Sequence, residues 1–222
     1  PLIGFASADT AVIPASESAK DVEAARKSTF LSNSMSWAEG MVVGRFEGIL
    51  KGVISDKDKK IICQRLDFYG FNCYTGGNYH DFPDRRNEWI KEGMPRTSTD
   101  WVVCPEVLYW LPKFLYERYK LPLLITENGM ANLDWKMSDG QVHDSQRIDF
   151  IRRYLRCLKR ATDDNVPILG YQYWSILDNF EWTEGYDKRF GLIYVDYQTQ
   201  ERILKDSTRF YSEIIRTNGK IL

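Results

Sequence analysis

Short apolar runs alternate along the chain with longer amphipathic stretches. Four of these runs have the length of buried strands, and each is followed by a segment with apolar residues at helical spacing or with helix-capping residues. The predicted strands are Leu2–Ala8, Asp67–Thr75, Leu121–Glu127 and Ile168–Ser175. Repeated strand-helix units of this kind predict a parallel sheet covered by helices.

Capping residues and apolar stripes indicate where the helices lie. Ser18 is expected to start a helix that runs through Phe30, because its side chain can accept a hydrogen bond from a free backbone N–H. Pro105 opens a second helix at its first turn. The other predicted elements are a long loop from Tyr79 to Trp101, a helix from Asp144 to Ala161, a hairpin around Ile193–Tyr197 and Arg202–Leu204, and a terminal helix Ser207–Asn218.

Four parallel strands with their helices make half of an eight-stranded α/β barrel. No repeat or linker divides the chain, so residues 1–222 are expected to form one unit of such a barrel. Catalytic residues of these barrels lie at the C-terminal ends of the strands. The surroundings of Tyr74, Thr126 and Trp174 are therefore where a site is expected.

Charge and hydropathy exclude several kinds of partner. The formal net charge is -1, whereas phosphate-binding surfaces are normally basic, so neither nucleic acid nor an anionic membrane surface is expected. The longest apolar runs are also far too short to cross a bilayer.

Cysteine and histidine usage argues against a metal site. The 4 cysteines have no ligand spacing, and the chain has only 2 histidines. No metal and no disulfide framework is expected, which favours reduced cysteines in a cytoplasmic protein. The chain starts at Pro1 without an initiator Met, which suggests that it begins inside a longer protein.

Glu127 ends an otherwise apolar strand. A carboxylate at the tip of a buried strand is costly to desolvate unless its surroundings use it. Two interpretations remain open from this residue alone. Either Glu127 caps a turn through a salt bridge, or it attacks the anomeric carbon of a sugar as a nucleophile.

The segment from Tyr171 to Leu192 is dense in tryptophan, tyrosine and carboxylates. Glu181 beside Trp182 would let a carboxylate accept hydrogen bonds from sugar hydroxyls while an indole covers a sugar face. The alternative is that these aromatic residues form a core at the mouth of the barrel, and Phe180 is expected there.

Two motifs together resemble glycoside hydrolase family 1, the family of β-glucosidases and related exo-acting β-glycosidases. They are Ile-Thr-Glu-Asn-Gly at Ile125–Gly129 and Trp-Ser-Ile-Leu-Asp-Asn-Phe-Glu-Trp at Trp174–Trp182. The stretches Asp144–Ile148 and Arg189–Asp196 also resemble the family. The resemblance covers nearly the whole chain and implies a (β/α)8 TIM barrel, of which this chain supplies strands five to eight.

The resemblance implies particular roles. Glu127 matches the catalytic nucleophile, and Tyr74 matches a tyrosine that hydrogen-bonds this carboxylate and keeps it ionised and oriented. Residues matching the substrate-binding positions are Trp174 beneath the sugar, Glu181 and Trp182 at its outer hydroxyls, Phe190 as a wall, and Trp101 on the leaving-group side. For Trp101, packing on the barrel rim remains an alternative.

The implied activity is hydrolysis of a terminal β-linked sugar, from a β-glycoside or oligosaccharide, with retention by double displacement. No metal or organic cofactor is implied. Family members that act on phosphorylated sugars replace the Glu181-Trp182 stretch with phosphate-binding residues, and a carboxylate there would repel phosphate. An unphosphorylated sugar is therefore expected.

The family's acid/base glutamate, in an Asn-Glu-Pro motif, is absent. The only Asn-Glu pair is Asn87-Glu88, followed by Trp89 in a predicted loop. The family's early sugar-binding Gln, His and Asn are missing as well. The N-terminal half of the barrel is therefore expected as a partner, in the same polypeptide or in another chain.

Two local departures concern the site. The stretch from Phe30 to Gly48 lacks the family's Asp-Pro and Tyr-Pro, so a loop of altered shape is expected near the entrance. Cys73 stands where an aromatic residue is common, which would either widen the pocket floor or be repacked. The competing functional hypothesis is a non-catalytic half-barrel that binds sugar or serves in assembly.

Overall fold

The structure is a computed structural model that describes residues 1–31, 33–46, 51–76 and 93–222, with the backbone alone for residues 33–36. Most of the loop predicted from Tyr79 onward, including Asn87-Glu88, lies outside the described residues. Within the described residues, no helix combines the length and the apolar character that a membrane crossing requires.

Four strands form one sheet, and a separate two-stranded hairpin follows it. The sheet strands are β1 Gly4–Ala8, β2 Phe68–Asn72, β3 Leu123–Asn128 and β4 Ile168–Tyr173, and the hairpin strands are β5 Ile193–Val195 and β6 Arg202–Leu204. The helices are α1 Ala19–Phe30, α2 Asn33–Val43, α3 Asp56–Ile62, α4 Val107–Tyr119, α5 Ser145–Asp163 and α6 Asp206–Arg216.

The sheet order is β1-β2-β3-β4, and every neighbouring pair is parallel. Helices lie between consecutive strands, as parallel connections require. The predicted parallel sheet, its four strands and the hairpin are thereby confirmed. Because all four strands run in the same direction, their carboxyl ends meet at one edge of the sheet.

Helices α4, α5 and α6 cover one face of this sheet. Tyr69 of β2 stacks on Tyr119 of α4 with ring centroids 5.3 Å apart, and Tyr171 of β4 contacts Tyr211 of α6. Ile125 is paired in register with Tyr171 and is fully buried on the same face. The apolar core therefore lies between the sheet and its helices, and it fixes the positions of the strand ends.

Two helices were not predicted. Part of the stretch from Phe30 to Gly48, expected as a loop, is helix α2, where Gly40 packs so closely on the Phe46 ring that a Cβ would lie 2.4 Å from it. Helix α3 is short and starts at a capping box of Ser55 and Asp58.

The cysteines are all free thiols, and two of them lie in the core. Cys73 is 1% exposed and belongs to the core cluster together with Cys104. Burial raises the pKa of the Cys73 thiol well above its usual value. Of the two expectations for Cys73, repacking into the core agrees with this position.

Candidate active site

Glu127 lies half-buried near the carboxyl end of β3, whose first three residues are apolar. The Tyr74 hydroxyl donates a hydrogen bond of 2.6 Å to Oε2 of Glu127. Glu127 forms no ion pair with any residue that the structure describes. Of the two interpretations left open by the sequence, the salt-bridged cap therefore finds no support among these contacts.

Tyr74 is held as a hydrogen-bond donor. Burial raises the pKa of the Tyr74 phenol far above its ordinary value, and the hydrogen bond to Glu127 raises it further. Tyr74 follows β2, and β2 is paired with β3 in a register that places Asn72 opposite Glu127. The parallel pairing of two strands therefore brings the phenol to the carboxylate.

Two aromatic rings pack around Tyr74. The ring of Tyr74 lies 5.2 Å from that of Trp101 and 6.0 Å from that of Phe190, and Trp101 and Phe190 are also 6.0 Å apart. Phe190 is buried, with 2% of its surface exposed. The structure thus brings together Tyr74, Glu127, Trp101 and Phe190, which are distant in sequence.

Trp174 and Glu181 form the second part of the site. The Trp174 indole Nε1 donates to Oε2 of Glu181 at 3.5 Å. Burial raises the pKa of the Glu181 carboxyl, the Trp174 hydrogen bond opposes this, and the negative charge of Glu127 raises it further. The Glu181 carboxyl therefore lies close enough to Glu127 to be affected by its negative charge.

Two aromatic residues of the same loop lie at the surface. Phe180 is 58% exposed and touches only the ring edge of Tyr186 among the described rings, so its expected place in a core at the barrel mouth is wrong. Trp182 is 79% exposed and begins a short 3-10 helix, Trp182–Glu184. No described ring contact joins Trp182 to the other predicted site residues.

Asn128 and Gly129 were read from the sequence only as the turn after the strand. The Asn128 amide donates to the Cys73 carbonyl at 2.7 Å and accepts from the Tyr171 hydroxyl at 2.8 Å. A Cβ on Gly129 would lie 1.9 Å from the Trp174 carbonyl oxygen. The Glu-Asn-Gly sequence thus ties β3 to β2 and β4 at the site, and no sequence pattern alone reveals these contacts.

The described residues contain no group of three or more His, Cys, Asp or Glu side chains that could hold a metal ion. What the site offers is a carboxylate with one hydrogen bond, a second carboxylate, and aromatic surfaces. An α/β barrel with such groups at the carboxyl ends of its strands is typical of enzymes that act on carbohydrates.

Comparison with known families agrees with this class. The family model described as glycosyl hydrolase family 1 matches residues 2–220. The chain belongs to this family, as its motifs predicted.

The chain is similar to several curated β-glucosidases. It is 39% identical over 216 residues to 1,4-beta-D-glucan glucohydrolase of Thermotoga neapolitana, a match that covers 93% of this chain and 49% of the relative. It is 43% identical over 165 residues to Beta-glucosidase A of Thermotoga maritima, covering 73% of this chain and 37% of the relative. The chain thus spans about half the length of such relatives at most.

Solved structures give the same result for the fold. A β-glucosidase from Thermotoga maritima in complex with glucoimidazole superimposes with a TM-score of 0.81 and 34% sequence identity, covering 98% of this chain and 51% of that one. The complex of that enzyme with castanospermine gives a TM-score of 0.82. The fold is therefore about half of a family 1 TIM barrel.

Proposed function

We propose that this chain is the nucleophile-bearing, C-terminal half of a retaining exo-β-glycosidase, with Glu127 as the nucleophile. The observation that carries the proposal is the hydrogen bond of 2.6 Å from Tyr74 to Glu127, made without any ion pair to Glu127 among the described residues. A carboxylate that is hydrogen-bonded by a neutral donor retains its negative charge and can act as a nucleophile, whereas an ion pair with a cation would neutralise that charge.

The geometry supports a double displacement. The Tyr74 hydroxyl hydrogen-bonds Oε2 of Glu127, and no described residue donates a hydrogen bond to Oε1. Oε1 is therefore the oxygen that would attack the anomeric carbon. As the bond from Oε1 to carbon forms, the bond from carbon to the leaving oxygen breaks, and an acid on the other half of the barrel protonates that oxygen. The same group then takes a proton from a water molecule. The water oxygen attacks the anomeric carbon as the bond from that carbon to Oε1 breaks, which frees the sugar and restores the Glu127 carboxylate.

The surroundings of Glu181 favour an unphosphorylated sugar. Lys188 donates to the Ser98 carbonyl at 2.8 Å, and the Arg189 guanidinium donates to Asp178 at 2.7 Å. Both nearby cations are thus engaged, and the Glu181 carboxylate would repel a phosphate group. Glu181 is left to accept hydrogen bonds from the outer hydroxyls of the sugar, and Trp182 can donate its indole N–H to one of them, with Trp174 beneath the ring.

The other half of the barrel is required for turnover. Residues 1–222 are proposed to be strands five to eight of one barrel, and a retaining glycosidase needs its two carboxyl groups roughly 5–5.5 Å apart. The free edges of β1 and β4 are where the absent strands would pair, since a parallel sheet with two open edges is incomplete. The chain by itself is therefore expected to be inactive.

Covalent trapping tests the assignment. The full protein that carries this chain is incubated with an aryl 2-fluoro-β-glucoside, whose fluorine slows release of the enzyme-bound sugar, and the digested protein is analysed by mass spectrometry. The proposal predicts one fluoro-sugar attached to the peptide that contains Glu127, and no label in Glu127→Gln. A non-catalytic sugar-binding half-barrel would bind the glycoside without gaining mass, and this result would refute the proposal.

A further inference from the structure

Asp178 lies in the segment after β4, four residues beyond Trp174 and three before Glu181. Its side chain is completely buried. No described hydrogen bond or ion pair joins the carboxylate to the side chains proposed to bind the sugar. Burial of a charge is costly, so its hydrogen-bond partners show what this carboxylate holds in place.

Four donors converge on the Asp178 carboxylate. Oδ1 accepts from the Gly191 backbone N–H at 2.9 Å and from the Lys205 amine at 2.8 Å. Oδ2 accepts from the Arg189 guanidinium at 2.7 Å and from the Val195 backbone N–H at 3.4 Å. Every lone-pair direction of the carboxylate therefore has a partner.

Two of these donors, Arg189 and Gly191, are the chain neighbours of Phe190. The approach is close, because a Cβ on Gly191 would lie 2.1 Å from the Asp178 backbone nitrogen. The Phe190 carbonyl also accepts from the Ser175 N–H at 3.3 Å. One carboxylate thus joins the arm of the loop that carries Trp174 and Glu181 to the arm that carries Phe190.

The charge of Asp178 is balanced by buried cations. Lys205 is shared between Asp178 and Asp134, and Arg147 binds Asp134 in turn. Removing the charge of Asp178 alone would leave Lys205 and Arg189 short of an acceptor in a buried place. An asparagine at position 178 can accept on one side only, and its NH₂ group would face a donor.

We propose that Asp178 is a positioning residue that sets where Glu181 and Trp174 stand relative to Phe190, and so controls recognition of the outer hydroxyls of the sugar. This inference rests on the proposed function. Asp178 acts through the loop and has no contact with the reacting atoms. Substitution of Asp178 should therefore lower kcat/KM most for a substrate whose outer hydroxyls Glu181 would bind.

The test compares two substrates in the full protein. Asp178→Asn is assayed with an aryl β-glucoside and with the matching aryl β-xyloside, which lacks the outer hydroxymethyl group. We expect kcat/KM for the glucoside to fall by about tenfold or more, since buried donors lose their acceptor, and the fall for the xyloside to be clearly smaller. The matched control is Asp187→Asn, in the same loop, exposed and without a described side-chain hydrogen bond, which should leave both values unchanged.

Arg189→Gln provides the same test from the other side of the ion pair. It removes the guanidinium that donates both to Asp178 and to the Val195 carbonyl, at a side chain that is 16% exposed. It decides the question if Asp178→Asn does not fold, as judged by thermal unfolding. Equal losses on both substrates, or no loss relative to Asp187→Asn, would overturn the inference while leaving labelling of Glu127 intact. Absence of labelling in the unsubstituted protein would instead refute the proposed function.

Discussion

The Tyr74 hydroxyl and the Glu127 carboxylate meet because two parallel strands end side by side. The phenol stays protonated, since burial raises its pKa, and it donates to only one of the two carboxylate oxygens. This arrangement orients Glu127 without neutralising it. The orientation of the proposed nucleophile therefore depends on one neutral donor.

Replacing that donor tests its contribution. In Tyr74→Phe, loss of a hydrogen bond to a charged group, worth about 1.5–3 kcal/mol, should lower kcat for an aryl β-glucoside by about 10- to 150-fold. The measurement is steady-state release of the aryl alcohol by the full protein. Tyr116→Phe on α4 is the control, because no described hydrogen bond involves its hydroxyl. An unchanged kcat in Tyr74→Phe would show that the Tyr74 hydroxyl does not orient Glu127 for the reaction.

Some site residues could be predicted from the sequence and others could not. Glu127, Tyr74 and Trp174 stand in motifs at predicted strand ends, and the structure places them there. Asn128 and Asp178 were overlooked because their importance lies in partners distant along the chain. The exposure of Phe180 was also missed, because the sequence of a loop does not indicate whether an aromatic side chain in it points to the core or to solvent.

The helices and strands, too, could be predicted only in part from the sequence. The strands and the long helices were predictable because their apolar residues recur at regular spacing, and the α4 stripe of Leu108, Leu111 and Leu115 is indeed fully buried. Helix α2 was missed because its glycine and scattered polar residues blur that period. Helix α3 was missed because only its capping box marks it, and an acidic residue other than Glu completes the box.

One histidine ties the loop after β3 to helix α6. His143 Nδ1 lies 2.6 Å from Asp206 at the start of α6, and Nε2 lies 2.9 Å from Asp139. The hydrogen bond to Asp139, which has the larger effect, and the hydrogen bond to Asp206 raise the pKa of His143 from 6.5 to about 8. The protonated ring therefore links the loop that follows the proposed nucleophile to the last helix.

This link predicts a pH dependence of stability. The folded-state pKa lies above the unfolded value, so the stabilisation is fully present below about pH 6.5 and is lost as the pH rises through about 8. Thermal unfolding midpoints measured across this range should fall with rising pH, and the fall should be smaller in His143→Gln. Identical profiles for the two proteins would contradict a stabilising role for the protonated ring.

The chain as a whole forms about half of a barrel that is closed in its relatives. The sheet ends at β1 on one side and β4 on the other, and Leu169 of β4 is 51% exposed. Unpaired strand edges and exposed apolar side chains favour association with other chains. The family relatives, about twice as long, carry the remainder of the barrel in one polypeptide.

Expressing the chain with and without its missing half tests this view. Alone, it should self-associate in light scattering and should not hydrolyse aryl β-glucosides. Co-expressed with the other half of its own barrel, it should elute as a defined species and gain activity. A monodisperse monomer with glycosidase activity would show that the chain needs no partner.

The most direct measurement is chemical rescue of Glu127→Gly in the full protein. Removing the proposed nucleophile should abolish turnover of an aryl β-glucoside, and azide should restore it by entering the vacated space and attacking the anomeric carbon. The expected product is the α-glucosyl azide, because a single displacement inverts the configuration. Wild-type turnover in the variant, or formation of the β-glucosyl azide, would contradict the assignment of Glu127 as the nucleophile.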